Sequence, residues 1–293
     1  MSSSSYLARR AFLARLGVLG AAVTVAGAMP SAYATTSPGP AAVAALRPVL
    51  AELARDTMNG LCVFVVPGPD AYSRAQGTPR TEPGAMEART PDFLLAALDS
   101  YVPFPDEIAR PVATAFATGL ADAGITLAGP LGAMLPKQVR ALDTALRTVL
   151  QSDETIPLSV AIALALNLVA TQVDPLSLRG PFLSPFARLS YARKAEVFRL
   201  LEGPDPDLVA LLDAQLPEPL AHSVSGLLQF VAGAVLEFAV FGSFTEYAVL
   251  DPRTKRLTGR PVGWSLTGYR PHGLVEGCDD LLGYYRGRTA VTS

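Results

Sequence analysis

The chain reads as a mainly α-helical protein: an irregular helical bundle around a long apolar C-terminal helix, with long Pro/Gly-rich loops and an irregular aromatic tail. Three observations predict this. Leu220 to Leu250 is the longest apolar run after the leader, and continuous hydrophobicity of that length demands burial on nearly all sides. Several segments before it repeat apolar residues at helical spacing. Between and after them lie stretches of Pro, Gly and Thr that break regular structure.

Length and composition fit a folded domain. The 293 residues are 50% hydrophobic and 17% charged, enough to bury a sizeable core. The formal charge is −2; with Arg9, Arg10 and Arg15 of the leader set aside, 21 basic residues face 26 acidic ones, near −5 for the mature chain. This balance excludes a nucleic-acid surface, which needs clustered positive charge.

Residues 1–34 have the three parts of a secretory signal: a basic start, an apolar stretch from Leu16 to Met29, and small residues at Ala32 and Ala34 that set the cut after Ala34. Arg9-Arg10 followed by Phe12-Leu13 is similar to a twin-arginine leader. The alternative is an ordinary Sec signal with two chance arginines. The twin-arginine route carries folded proteins, so a cofactor or a partner loaded before export is expected. The destination is then periplasmic, cell-envelope or extracellular. A flexible linker over 35–40 follows, and 41–293 form a single helical domain with an irregular tail, 251–293.

The first helix is expected over Ala41 to Met58, with Val43, Leu46, Val49, Leu50 and Leu53 on one face and Asn59-Gly60 as its stop. Leu61 to Val66 is apolar and β-branched, and periodicity leaves strand and helix end both open. Pro67 to Pro91 reads as a long connection, a loop that wraps a partner or a mobile surface loop. Helices follow at 92–101, 106–124 and 135–150. Pro157 to Thr171, apolar all round, reads as a core helix. Ser190 is expected to cap a helix ended by Gly203, with Tyr191, Val197, Leu200 and Leu201 inward and Arg193, Lys194, Glu196 and Arg199 wet. A further helix is expected over 205–216.

Val224 to Phe244 is 21 residues long, and a bilayer core of about 30 Å needs about 20. Glu237 near its middle opposes insertion by about 2.5–3.5 kcal/mol. Gly226, Gly233 and Gly242 suit close helix packing, so burial in the fold is favoured over a membrane span. In the tail, Trp264, Tyr269 and Tyr284 stand beside glycines and suit either a protein interface or packing across the chain's own helices.

The motifs of catalysis and cofactor binding are missing from the sequence. There is no G-x-G-x-x-G, no P-loop, no C-x-x-C and no G-x-S-x-G. His222 and His272 stand outside any ligand spacing, and Glu276, Asp279 and Asp280 are too few for calcium. Cys62 and Cys278 are either one disulfide, permitted outside the cytoplasm, or two separate buried thiols.

The order of several short motifs resembles the small subunit, subunit 3, of gluconate 2-dehydrogenase and related flavin-dependent sugar dehydrogenases. They are Arg9-Arg10, Val66-Pro67-Gly68, Pro83-Gly84-Ala85, Leu98-Asp99, the Ser190 to Leu201 helix, Phe244-Thr245-Glu246-Tyr247, Gly263-Trp264 and Gly268-Tyr269. Inserts around Pro103 to Pro130 and Pro157 to Pro185 depart from that pattern. The resemblance implies a helical accessory or chaperone-like subunit with no catalytic residue and no cofactor of its own. It further implies a flavoprotein large subunit of GMC type as partner, carrying FAD, and passage through the twin-arginine machinery. Tyr72, Phe244, Tyr247, Trp264 and Tyr269 are the expected partner contacts. Two other classes stay open: a secreted helical lipid- or sterol-binding protein lined by Pro157 to Thr171 and Leu220 to Tyr247, and a secreted enzyme using His222 or His272.

Overall fold

Among the described residues the first helix and the last long one each pack against several of the others. The computed structural model describes residues 40–101, 157–203, 209 and 224–269, and these are mostly helical with little strand. In order they form α1 (Pro40–Val65), α2 (Ala71–Gln76), and α3 (Thr90–Ala96) running into a π-helical turn (Ala97–Tyr101). Then come α4 (Leu158–Val173), a 3-10 turn (Pro175–Leu178), α5 (Pro185–Arg188), α6 (Tyr191–Glu202) and α7 (Val224–Phe244). An antiparallel hairpin of β1 (Leu250–Asp251) and β2 (Arg256–Leu257) leads to α8 (Val262–Thr267). The leader, the helices expected over 106–124, 135–150 and 205–216, and the acidic turn at 276–280 lie outside the described residues.

Helix α1 packs against α2, α3, α4, α5 and α7. Its C-terminal half is buried nearly all round, through Leu53, Met58, Leu61, Cys62 and Val63. The expected stop at Asn59-Gly60 does not act as one, and Leu61 to Val65 is helix rather than strand. The magnitudes explain why. Glycine inside a helix costs about 1 kcal/mol, whereas burying each large apolar side chain contributes about 1.5–3 kcal/mol. Gly60 also has a packing role: a Cβ there would stand 2.7 Å from the Ala187 Cα, so its absence lets α5 lie on α1.

The segment expected as a long loop, Pro67 to Pro91, is folded onto itself. Asp70 caps α2 by accepting from the Ser73 amide at 2.9 Å, and Gly77 closes it in the left-handed region at φ 91°. Gly68 and Gly84 meet backbone to backbone; a Cβ on Gly84 would lie 2.6 Å from the Gly68 nitrogen. Ala85 N–H donates to the Val66 carbonyl at 2.9 Å. Two motifs of the Pro-Gly kind are therefore halves of one close contact.

Helix α4 is core, as its all-round hydrophobicity predicts, and its Asn167 and Thr171 are buried with hydrogen bonds made. Its start is tied to the π-helical turn: Ser159 donates its amide and hydroxyl to the Asp99 carboxylate at 2.9 and 2.8 Å. In α6, Ser190 caps and Gly203 ends the helix as expected. The inward stripe, however, is Lys194, Val197, Phe198 and Leu201.

Helix α7 has the expected bounds but is not enveloped. Ala232, Val235, Ala239, Gly242 and Ser243 form its buried seam, a run of small residues at helical spacing. Gly242 sits on the Phe93 ring, while Gly226 and Gly233 face open space, so only one of the three glycines serves close packing. Phe241 is 61% exposed and Val240 42%. No helix among the described residues is long and apolar enough to cross a membrane. The chain after α7 is more regular than expected, since Gly263 of α8 packs on the Phe244 backbone, with 2.7 Å to its Cα from a built Cβ.

Candidate functional site

Two regions hold side chains that the core alone does not explain: a buried polar seam beside α1 and an open aromatic face at the end of α7.

The seam begins with Asp56 on α1. Its carboxylate accepts the Tyr72 hydroxyl and, at 2.6 Å, the Ser184 amide. Tyr72 in turn accepts from Asn59 at 3.0 Å and stacks on Phe182 with ring centroids 4.1 Å apart. Asn167 on α4 bridges the other side. Its Oδ1 accepts from Ser184 Oγ at 2.7 Å and from the Phe186 amide at 3.0 Å, while its Nδ2 donates to Thr57 and to the Ala163 carbonyl. The Thr57 hydroxyl has one proton for two acceptors, the Leu53 carbonyl and Ser184 Oγ. Such a satisfied network fixes the relative placement of α1, α2, α4 and α5.

Lys194 lies at the end of this seam and is wholly buried. Its Nζ donates to the Gly60 carbonyl at 2.9 Å and to Gln76 Oε1 at 2.8 Å, and stands 5.5 Å from the Phe186 ring centroid. Gln76 passes the connection on, donating to the Val63 carbonyl and Thr78. Both acceptors of the amine are neutral, so nothing in contact repays the loss of water around a charge. Burial pushes its pKa down to about 7, against the opposite pull of Asp70 and Asp56. The same burial, joined by the Asp56 hydrogen bond, pushes the Tyr72 phenol up.

A near-neutral amine is the kind of group that forms covalent bonds with carbonyl substrates. With no surface exposed, Lys194 has no approach for one. Its chemistry is internal: it ties the end of α1, the end of α2 and the start of α6 together. Cys62 is likewise a buried free thiol with its pKa raised by burial, which makes it inert. Among the described residues, no three His, Cys, Asp or Glu side chains gather as a metal-binding group.

The second region is built on aromatic contacts. Phe93 of α3 lies 5.8 Å from the Phe241 ring and 5.5 Å from the Tyr247 ring, edge-on to the latter. Thr90 and Ser243 join α3 to α7 beneath them through a 2.9 Å hydroxyl pair. Phe244, Tyr247, Leu250 and Leu257 continue the exposed surface at 39%, 40%, 44% and 39%. Trp264 and Tyr269 pair edge to face at 5.2 Å, and Arg260 donates to the carbonyls of both.

Of the expected partner contacts, Phe244, Tyr247 and Tyr269 are exposed, Trp264 is half-buried, and Tyr72 is committed to the internal seam. The signal residues Arg9, Arg10, Phe12, Leu13, Ala32 and Ala34, together with His222, His272 and Cys278, lie outside the described residues. The reading that kept Lys194 wet is overturned. The signal was present, because Lys194 precedes Val197, Phe198 and Leu201 at helical spacing. Asn167 and Phe241 also went unnoticed inside apolar runs.

No protein-family model, curated protein or solved structure matches this chain.

Proposed function

We propose that this chain is a non-catalytic accessory subunit of an exported flavin-dependent oxidoreductase, assisting the folding and twin-arginine export of a flavoprotein that carries the FAD. The observation that supports this reading is the contrast between a closed polar interior and an open aromatic face. The titratable groups of the seam are spent on internal hydrogen bonds, with Lys194 and Asp56 buried and Tyr72 half-buried. The end of α7 instead offers Phe241, Phe244 and Tyr247 to the outside, in the amphipathic and aromatic composition that protein interfaces favour. In this reading the helical body is a carrier, and α7 with its hairpin is the face it presents. The leader motif and the order of short motifs, Val66-Pro67-Gly68 through Gly268-Tyr269, agree with the same role. The Pro67 to Pro91 segment can serve such a contact as an ordered surface, since its backbone is held by its own turns and by Val66.

The test is purification of the tagged full chain from its native host, followed by flavin absorbance and mass analysis of the recovered complex. A flavoprotein at fixed stoichiometry is the expected result. A lone colourless monomer overturns the reading.

A further inference from the structure

We infer that the β1–β2 hairpin and the adjoining aromatic end of α7 form one docking surface for an acidic protein face, a partner whose contact patch is rich in Asp and Glu around an apolar centre. The inference rests on the accessory reading and deepens it by naming the chemistry of the partner's contact.

The charge count carries the argument. Between Phe241 and Arg260 there are four cations, Arg253, Lys255, Arg256 and Arg260, against two carboxylates, Glu246 and Asp251, in a chain whose overall charge is negative. Asp251 is directly opposite Arg256 in the strand register, yet its Oδ1 is taken by the Arg253 and Thr254 amides at 2.8 and 3.2 Å. Hydrogen bonding to the Thr254 side chain, then to those two amides, holds its pKa below the usual carboxylate range, so it serves the turn. The side chains of Arg253, Lys255 and Arg256 are exposed and have no ion-pair partner among the described residues.

Order distinguishes this surface from a mobile basic tip. Thr258 donates both its amide and its hydroxyl to the Val249 carbonyl, at 2.7 and 2.9 Å, closing the hairpin. Lys255 is held at φ 56°, a conformation suited to glycine, so the turn keeps a cation where glycine would relax it. Leu250 and Leu257 are register partners across the ribbon, both are exposed, and Leu250 follows Tyr247 by three residues.

An apolar centre with cations at one edge fits a protein partner better than a lipid surface. Three of the four cations are arginines, whose planar forks match carboxylates two bonds at a time. The aromatic rings are fixed by packing on Phe93 rather than free to sink into a headgroup layer. A basic patch on an acidic chain also steers an acidic partner into register.

The test places a photo-crosslinking residue at the hairpin, Lys255→p-benzoylphenylalanine, in the full chain expressed in its native host. Arg74, an exposed residue of α2, carries the same replacement as control. Expected is an adduct from position 255 to an Asp/Glu-rich segment of a flavoprotein, with little from position 74. Its yield should fall about tenfold in high salt, as screening of exposed charges requires, and at least tenfold on adding Arg253→Glu and Arg256→Glu. Those two side chains make no hydrogen bond or ion pair among the described residues, and an unchanged thermal melt verifies the variant.

An adduct to an acidic segment of a protein without flavin, a second copy of this chain included, upholds the surface and removes the accessory reading. Adducts to lipid alone, no adduct, or a yield indifferent to salt and charge reversal overturn the surface. In that case co-purifying flavin still decides the accessory reading separately.

Discussion

The seam beside α1 and the face at the end of α7 are built from the same kinds of residue and treat them oppositely. In the seam a lysine is stripped of water and given two neutral acceptors, and a tyrosine surrenders its hydroxyl to a buried carboxylate. On the hairpin beyond α7 a lysine and two arginines are exposed with no ion-pair partner among the described residues, and Tyr247 offers a partly open ring. The difference teaches that residue type decides little here. What decides is whether the surrounding backbone approaches closely enough to exclude water. Glycine marks the boundary: Gly60 and Gly84 permit backbone contact, whereas Gly226 and Gly233 touch nothing.

The largest expected effect concerns Lys194. An unfolded lysine keeps its proton up to about 10.5, the native one only to about 7. Between these values the unfolded state binds more protons, so stability rises with pH across the window. Below pH 7 both states are protonated and the full desolvation cost stands, at most on the order of 5 kcal/mol. Cys62 and Tyr72, both raised, act oppositely once unfolded thiols and phenols ionise, from about pH 9 upward. Urea midpoints should therefore climb from about pH 6.5 to 9 in the native chain and stay nearly level in Lys194→Met. A parallel climb in the variant would remove Lys194 as its cause.

Glycine substitutions test the boundary itself. Gly60→Ala drives a Cβ into the Ala187 backbone at 2.7 Å, and a loss of about 3 kcal/mol is expected, as for other overpacked sites. Gly233→Ala meets open space in mid-helix and should gain up to about 1 kcal/mol. Equal effects in chemical denaturation would erase the distinction between the two regions.

Tyrosine repeats the comparison at smaller scale. Tyr72→Phe leaves a buried Asp56 oxygen without its donor and should cost about 2 kcal/mol. Tyr247→Phe should stay within about 0.5 kcal/mol by the same thermal or urea measurement.

A further small effect, of opposite sign to the Tyr72 loss, is expected at the turn. Lys255→Gly releases a side chain from the left-handed region and should stabilise by up to about 1 kcal/mol, offset in part by the added freedom of the unfolded glycine. Its crosslinking-independent readout is the melting temperature, which should not fall.

Much of the helical layout was legible in the sequence. The bounds of α7, the Ser190 cap and the Gly203 stop follow from hydrophobic run length and capping chemistry, which are local. What escaped depends on partners distant in the chain. Nothing local says that Gly60 will meet Ala187 and so extend α1, or that Gly68 will meet Gly84 and fold an apparent loop. Composition overstated the burial of α7, because an apolar run shows which residues favour burial and not whether enough surface exists to cover them. Lys194 was legible by its register and was misread by its charge. Within the α7 face, Phe244 and Tyr247 were identified from sequence, while Phe241 was hidden among other apolar residues and the cations of the hairpin read only as turn formers.

The hydrogen bond from Lys194 to Gly60 spans 134 residues of chain, and those of Ser184 to the α1 groups Thr57 and Asp56 span 127 and 128. Translation at roughly 5–20 residues per second sets an interval of roughly 7–27 s between the synthesis of Gly60 and that of Lys194. For most of that interval the buried half of α1 lacks its native neighbours from α4 onward. A nascent chain of this design keeps core apolar surface uncovered until most of the chain has been made.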